Sequence, residues 1–180
     1  MDRDSFRPGP PAEIDAEPAG DRWTLLFVRE LRHAPEKVWA ALTDPARLRE
    51  WAPFLADRDL GAPGAATLTM VDGDTAVAQP ATVRRAEPPH LLEYTWGDDL
   101  LRWELTPSGT GTRLVLRHTL AERGMLPMVA AGWHLCLDVA DHLLAGDPVG
   151  PIRGAEAKDF GWAELRDTYA GRLGGQPPRP

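Results

Sequence analysis

FVRELRHAPEKVWAALTDPARLREWAPF, residues Phe27 to Phe54, carries the reading of the fold. A β-rich run from Trp23 to His33 ends at Ala34-Pro35, where proline suits the first turn of a helix. Residues 35–42 then place Val38, Trp39 and Leu42 at amphipathic spacing. Thr43-Asp44 before Pro45 predicts a second helix over residues 45–51, with Asp44 as its cap. A strand followed at once by two short helices suits a curved sheet that wraps around something.

Downstream the period changes from 3.6 to 2. Ala65–Val71 and Ala76–Arg85 are expected strands joined by the turn Asp72-Gly73-Asp74, with Pro80 marking an edge position or a bulge. His90–Trp96, Leu100–Thr106 and Thr112–Leu120 extend the meander. Leu92, Tyr94 and Trp96 share one face, as do Leu101, Trp103 and Leu105, and Leu114, Leu116 and His118. Glu93, Arg102, Glu104, Arg113 and Arg117 occupy the other. An apolar sheet face must be covered. Met125 to Ala145 supplies the cover: Val129, Trp133, Cys136, Ala140 and Leu144 recur at helical spacing, and Gly146-Asp147-Pro148 stops the run. A last helix is expected from about Asp159 to Leu173.

The fold class is therefore α+β: a curved antiparallel sheet wrapped around a long C-terminal helix, with two short helices after the first strand. The expected organisation is a flexible N-terminal arm over residues 1–21, one domain over 22–146, a helical extension over 147–173 and a flexible tail over 174–180. The arm and the tail are rich in Pro, Gly and, in the arm, acids.

Composition narrows the function classes. A formal charge of −7 with no basic block argues against nucleic acid or an anionic membrane surface as partner. A single cysteine, Cys136, excludes an internal disulfide and a cysteine metal cluster. The acidic, proline-rich start is unlike a signal peptide, and no apolar run is long enough to span a membrane, so a cytoplasmic location is expected. Seven tryptophans in 180 residues are many, and such rings line cores, pockets or interfaces.

The order of elements resembles the helix-grip superfamily (SRPBCC) of START lipid-transfer domains, polyketide cyclases and the birch-pollen allergen. Within it the chain is similar to the branch related to the activator of the HSP-90 ATPase. The residues that carry this are Ala34 to Trp39, Leu42 to Pro45, Trp51 with Pro53, Pro88-Pro89 through Tyr94-Thr95-Trp96, Gly111 to Leu114, and Gly132-Trp133 with Leu137 and Gly146. Together they span roughly residues 23–146. The resemblance implies a cavity between long helix and sheet for an apolar or amphipathic molecule. It does not imply one activity, because members bind lipids, hormones or polyketides, a few are enzymes, and one branch stimulates a chaperone.

Three readings follow. The first is a protein binding a hydrophobic or amphipathic small molecule against Trp96, Trp103, Leu105, Leu116, Val129, Trp133 and Cys136, with Tyr94 and His118 as orienting polar groups. A solid aromatic core is the alternative for the same rings, and a hydrogen-bonded rim histidine is the alternative for His118. The second is a chaperone-regulating or stress-response interaction protein acting through its surface. Phe160, Trp162, Leu165 and Tyr169 are expected to dock on the outside of the domain, with self-association through an interface between two copies as the alternative. The third is a cyclase- or hydrolase-type enzyme with His118 and Tyr94 as acid and base, although the pattern places no second carboxylate beside them. No cofactor or metal is expected. His134, Asp138 and His142 fall on one helical stripe, but the outer pair is about 12 Å apart along the axis, and the stripe is expected to be a solvated face. Cys136 is expected to act as a small hydrophobe. The resemblance implies that residues 54–64 and 121–128 frame the mouth of the cavity as its gate.

Overall fold

The computed structural model describes residues 3–174. Its strands are β1 (Glu13–Ala19), β2 (Arg22–Leu31), β3 (Phe54–Ala56), β4 (Gly64–Asp72), β5 (Thr75–Glu87), β6 (Leu91–Trp96), β7 (Asp99–Ser108) and β8 (Gly111–Leu120). Its helices are α1 (Pro35–Thr43), α2 (Pro45–Leu48), α3 (Leu126–Leu144) and α4 (Trp162–Gly174). The eight strands form one antiparallel sheet in the order β1-β2-β8-β7-β6-β5-β4-β3, and it curves around α3 as a helix grip. Among the described residues no helix is long and apolar enough to cross a membrane.

Local chemistry follows the sequence closely in the middle of the chain. Pro35 and Pro45 each open a helix, and Asp44 caps the second by accepting from the Ala46 amide at 2.9 Å. Pro80 sits in β5 just beyond the reach of β6, which pairs only from Ala81 onward. The proline is thus at a local edge, where its missing N–H costs no ladder bond. The inward faces pair in rows across the sheet. Tyr94, Leu101, His118 and Leu25 form one row, and Leu92, Trp103, Leu116 and Phe27 the next. The outward face carries exposed ion pairs, Arg102 with Glu93 and Glu104 and Arg113 with Glu30, whose contribution to stability is small.

Three expectations need correction. Residues 3–21 are not an open arm. Phe6 is fully buried, and β1 adds a strand to the edge of β2, pairing Ile14 with Phe27 and Ala16 with Leu25. Burial of these few apolar side chains, together with ladder hydrogen bonds, holds a segment that reads as acidic and proline-rich. Gly174 closes α4 rather than opening a tail, and the rest of the expected tail lies outside the described residues. The extension docks within the chain: Leu165, Tyr169 and Leu173 of α4 are buried against α3 and the β1–β2 end of the sheet.

The third correction concerns the stripe on α3. His134 is completely buried and Asp138 nearly so, because α4, β2 and the N-terminal segment close over that side. The Tyr169 hydroxyl lies 2.6 Å from His134 Nδ1 and accepts from the Ala12 amide at 2.9 Å. Asp138 pairs with Arg29 of β2 and accepts from the Gly9 amide at 2.7 Å. His134 Nε2 is 3.0 Å from Asp138 Oδ2 but out of line for a hydrogen bond. Burial, then the positive charges of Arg29 and Arg172, push the His134 imidazole down to about 4.

A pH dependence follows. In the unfolded chain the imidazole titrates near its ordinary value of about 6.5, so between about 6.5 and 4 the unfolded state binds the extra proton. The contribution is complete above pH 6.5 and is lost as the pH falls. Urea unfolding at pH 7 and pH 5 should show the unmodified chain losing about 2 kcal/mol more than His134→Gln. Equal losses in the two proteins would assign the acid sensitivity elsewhere.

Candidate functional site

The grip leaves a cavity of about 240 Å³ beside the last residue of β6, where α3 and the connection to α4 meet the sheet. From α3 come Val129, Gly132, Trp133, Leu135 and Cys136; from the sheet come Met70, Trp96 and His118, with Pro53 beside them. The remaining wall is supplied by Ile152, Arg153, Gly154, Ala157 and Trp162, on the strap from α3 to α4 and the first residue of α4. No Asp, Glu, Asn, Gln, Ser or Thr side chain lines this space.

Of the residues expected to line a pocket, Trp96, His118, Val129, Trp133 and Cys136 do so. Tyr94, Trp103, Leu105 and Leu116 do not. They lie fully buried in the packed part of the grip. Trp103 stands edge to face with Trp51 and with Trp133, at centroid distances of 6.4 and 5.1 Å, and its Nε1–H donates to the Tyr94 hydroxyl at 3.2 Å. The aromatic cluster is therefore solid core on one side and cavity wall on the other, with Trp133 at the boundary. Burial pushes the Tyr94 phenol above its ordinary value, partly offset by the bond from Trp103, so Tyr94 stays neutral and out of reach of the cavity.

His118 has a carboxylate neighbour that the strand pattern did not place. Trp133 Nε1–H donates to His118 Nδ1 at 3.0 Å, so Nδ1 is the acceptor and Nε2 carries the hydrogen. That Nε2–H donates to Asp99 Oδ2 at 2.9 Å, and Asp99 in turn pairs with Arg22 at 3.2 Å. Asp99 was reachable from sequence: it opens β7 after the turn at Gly97, opposite Trp96 and close to His118 on the neighbouring strand β8. Both imidazole nitrogens are engaged in hydrogen bonds within the chain. The chain Trp133–His118–Asp99–Arg22 fixes the Trp133 ring as a wall.

The strap is pinned at three points. Arg3 donates to the Pro151 carbonyl at 2.8 Å, Arg153 donates to the carbonyls of Ala52 at 2.8 Å and Arg49 at 2.7 Å, and the Ala155 amide donates to Asp72 at 3.0 Å. At Gly154 the backbone has φ of +53°, and an added Cβ would collide with the Asp72 side chain, so glycine is required for this approach. The expected gate windows, 54–64 and 121–128, contribute no lining residue. The strap does so instead, because Val149 and Ile152 bury themselves and carry the chain across the opening.

The electrostatics of the wall are simple. Cys136 is buried, and its thiol is pushed up to about 12, which keeps it neutral. Arg153 has no ion-pair partner among the described residues; burial lowers its guanidinium, and the Glu50 carboxylate acts on it only from a distance. The Trp96 Nε1–H is buried with no hydrogen-bond partner, a state in which a donor costs about 1–3 kcal/mol. Among the described residues no group of three His, Cys, Asp or Glu side chains is placed to hold a metal ion.

Comparison with known proteins agrees with this architecture. The family model described as Activator of Hsp90 ATPase homolog 1-like protein matches residues 32–145. No curated protein matches by sequence. Among solved structures, a Rhodobacter sphaeroides protein is 25% identical with a TM-score of 0.61, over 74% of this chain and 99% of its own. CalU16 from Micromonospora echinospora is 21% identical with a TM-score of 0.64, over 89% of this chain and 95% of its own. A conserved protein of unknown function from Enterococcus faecalis has 17% identity and a TM-score of 0.67, over 89% of this chain and 90% of its own. The last two likenesses concern the fold alone. The strap and α4 lie beyond the matched family region.

Proposed function

The chain belongs to the Activator of Hsp90 ATPase homolog 1-like family, and on that premise we propose that it binds one small, largely apolar molecule in the cavity between α3, the sheet and the strap. The observation that carries this reading is Gly132. It lies in the interior of α3, lines the cavity, and a Cβ built on it meets nothing within 4 Å. A helix interior that faced packed core would favour a side chain there, since glycine costs roughly 0.5–1 kcal/mol relative to alanine. The space in front of it is therefore an opening in otherwise tight packing. Its volume is small against the range of about 300–1,000 Å³ common for ligand pockets, which limits the occupant to a short chain or a single ring system.

The test separates cavity from core. Gly132→Ala should raise the unfolding free energy by about 0.5–1 kcal/mol. Gly132→Leu should fill the space, retain the fold, and abolish retention of small molecules by protein purified without added ligand, as read by denaturing mass spectrometry. A Gly132→Leu protein that still carries the compound carried by the unmodified chain would overturn the assignment. The chaperone-regulating reading rests on the family description. It would gain if the unmodified chain retained nothing, and if purified chaperone ATPase activity rose on its addition.

A further inference from the structure

One cation without a counter-charge stands in the wall of this cavity, against the stretch Ala52 to Phe54. Arg153 Nε donates to the Ala52 carbonyl at 2.8 Å, the Trp96 ring stands 5.1 Å from the Phe54 ring, and Pro53 lines the cavity. Trp96 Nε1–H is buried and unpartnered. The Arg153 guanidinium has five N–H bonds; its Nε and one terminal nitrogen reach backbone carbonyls, and no carboxylate of the described chain pairs with it. The other polar side chains of the wall are occupied or neutral: Trp133 and His118 satisfy each other, and the Cys136 thiol stays protonated. With no carboxylate, amide or hydroxyl side chain in the lining, the side chains of the wall include an arginine and no acid.

From this asymmetry we infer that the cavity selects an amphipathic carboxylate, a short-chain or single-ring organic acid whose carboxylate meets the remaining N–H bonds of Arg153. This rests on the small-molecule reading above and names its ligand class. A carboxylate supplies the counter-charge that Arg153 lacks, and a guanidinium pairs with it through charge-assisted hydrogen bonds. A cationic head would meet Arg153 with no anion in the wall to compensate. A purely hydrocarbon ligand would leave the Arg153 charge without a partner. The apolar remainder fits against Val129, Trp133, Ile152 and Trp162. Because Arg153 lies on the strap, the selectivity is a property of the segment beyond the matched family region.

Octanoate and 1-octanol, titrated calorimetrically into the full chain, test this. The unmodified protein should bind octanoate at least about tenfold more tightly than 1-octanol. Arg153→Gln should weaken octanoate by about tenfold or more and 1-octanol by less than about twofold. Equal affinity of the unmodified chain for both compounds overturns the carboxylate assignment and leaves the cavity reading standing, and that comparison needs no variant to fold. Parallel loss of both compounds in Arg153→Gln also overturns it, since the arginine would then act only by pinning the strap. Binding of neither compound overturns the cavity reading, and the acid with it.

Discussion

Replacing Trp103 with alanine should lower the unfolding free energy by about 3–5 kcal/mol, placing it among the most damaging single changes in the chain. The side chain is 1% exposed and sits between Trp51 and Trp133 with edge-to-face contacts to both. Each such contact contributes about 0.5–1.5 kcal/mol beyond area burial. Its indole N–H is also the partner of the buried Tyr94 hydroxyl, which would be left without it. Alanine removes all three together, and the neighbours cannot collapse into the space: the Trp51 Nε1–H is bound to the Ala41 carbonyl and that of Trp133 to His118. Trp96→Ala should cost less than half as much, because that ring is partly exposed at the cavity wall. Urea denaturation of the two variants decides the order. If Trp103→Ala stayed near the stability of the unmodified chain and lost its ligand, the cavity would extend into the aromatic core around Trp51 and Trp103.

Strand alternation placed Trp96 and Trp103 on one face and therefore treated them alike. What separates them is depth. Trp103 lies in the middle of β7 with β6 and β8 on either side, whereas Trp96 ends β6 beside the opening. Period-2 patterning reports the face of a strand but not the distance from the end of the grip. Turn chemistry, by contrast, was legible to within a few residues at Pro35, Asp44-Pro45, Asp72-Gly73 and Gly97, because each of those steps is decided by local backbone preferences. The strap wall was invisible for the opposite reason. Ile152 and Arg153 sit in a stretch without periodicity, and only long-range hydrogen bonds to Arg49 and Ala52 place them over the cavity. The N-terminal strand left a fainter trace: Ile14 and Ala16 alternate with Glu13, Asp15 and Glu17, a two-residue period overshadowed by acids and prolines.

The same long-range closure makes Asp138 the second sensitive position. Asp138→Ala should cost about 3–5 kcal/mol, because it leaves the Arg29 guanidinium buried without its counter-charge. Those two side chains are only 11% and 14% exposed, so water cannot replace the lost partner. The change also removes the acceptor of the Gly9 amide, one of the bonds holding the N-terminal segment on the back of α3. An apolar pair of similar volume should behave differently: Arg29→Leu with Asp138→Leu should be less destabilised than Asp138→Leu alone, since no unpaired charge remains. A double-mutant cycle measured by urea unfolding, with hydrogen exchange at Gly9 as the local readout, carries the test. Additive losses would mean that the pair is screened and that packing of α4 alone holds this side of the helix. The coupling bears on the cavity as well. Trp133 and His134 are adjacent on α3, the first forming cavity wall and the second part of this buried network. A helix gripped on both sides cannot rotate one ring without disturbing the other, so loosening Asp138 should also weaken ligand retention in a protein that still folds.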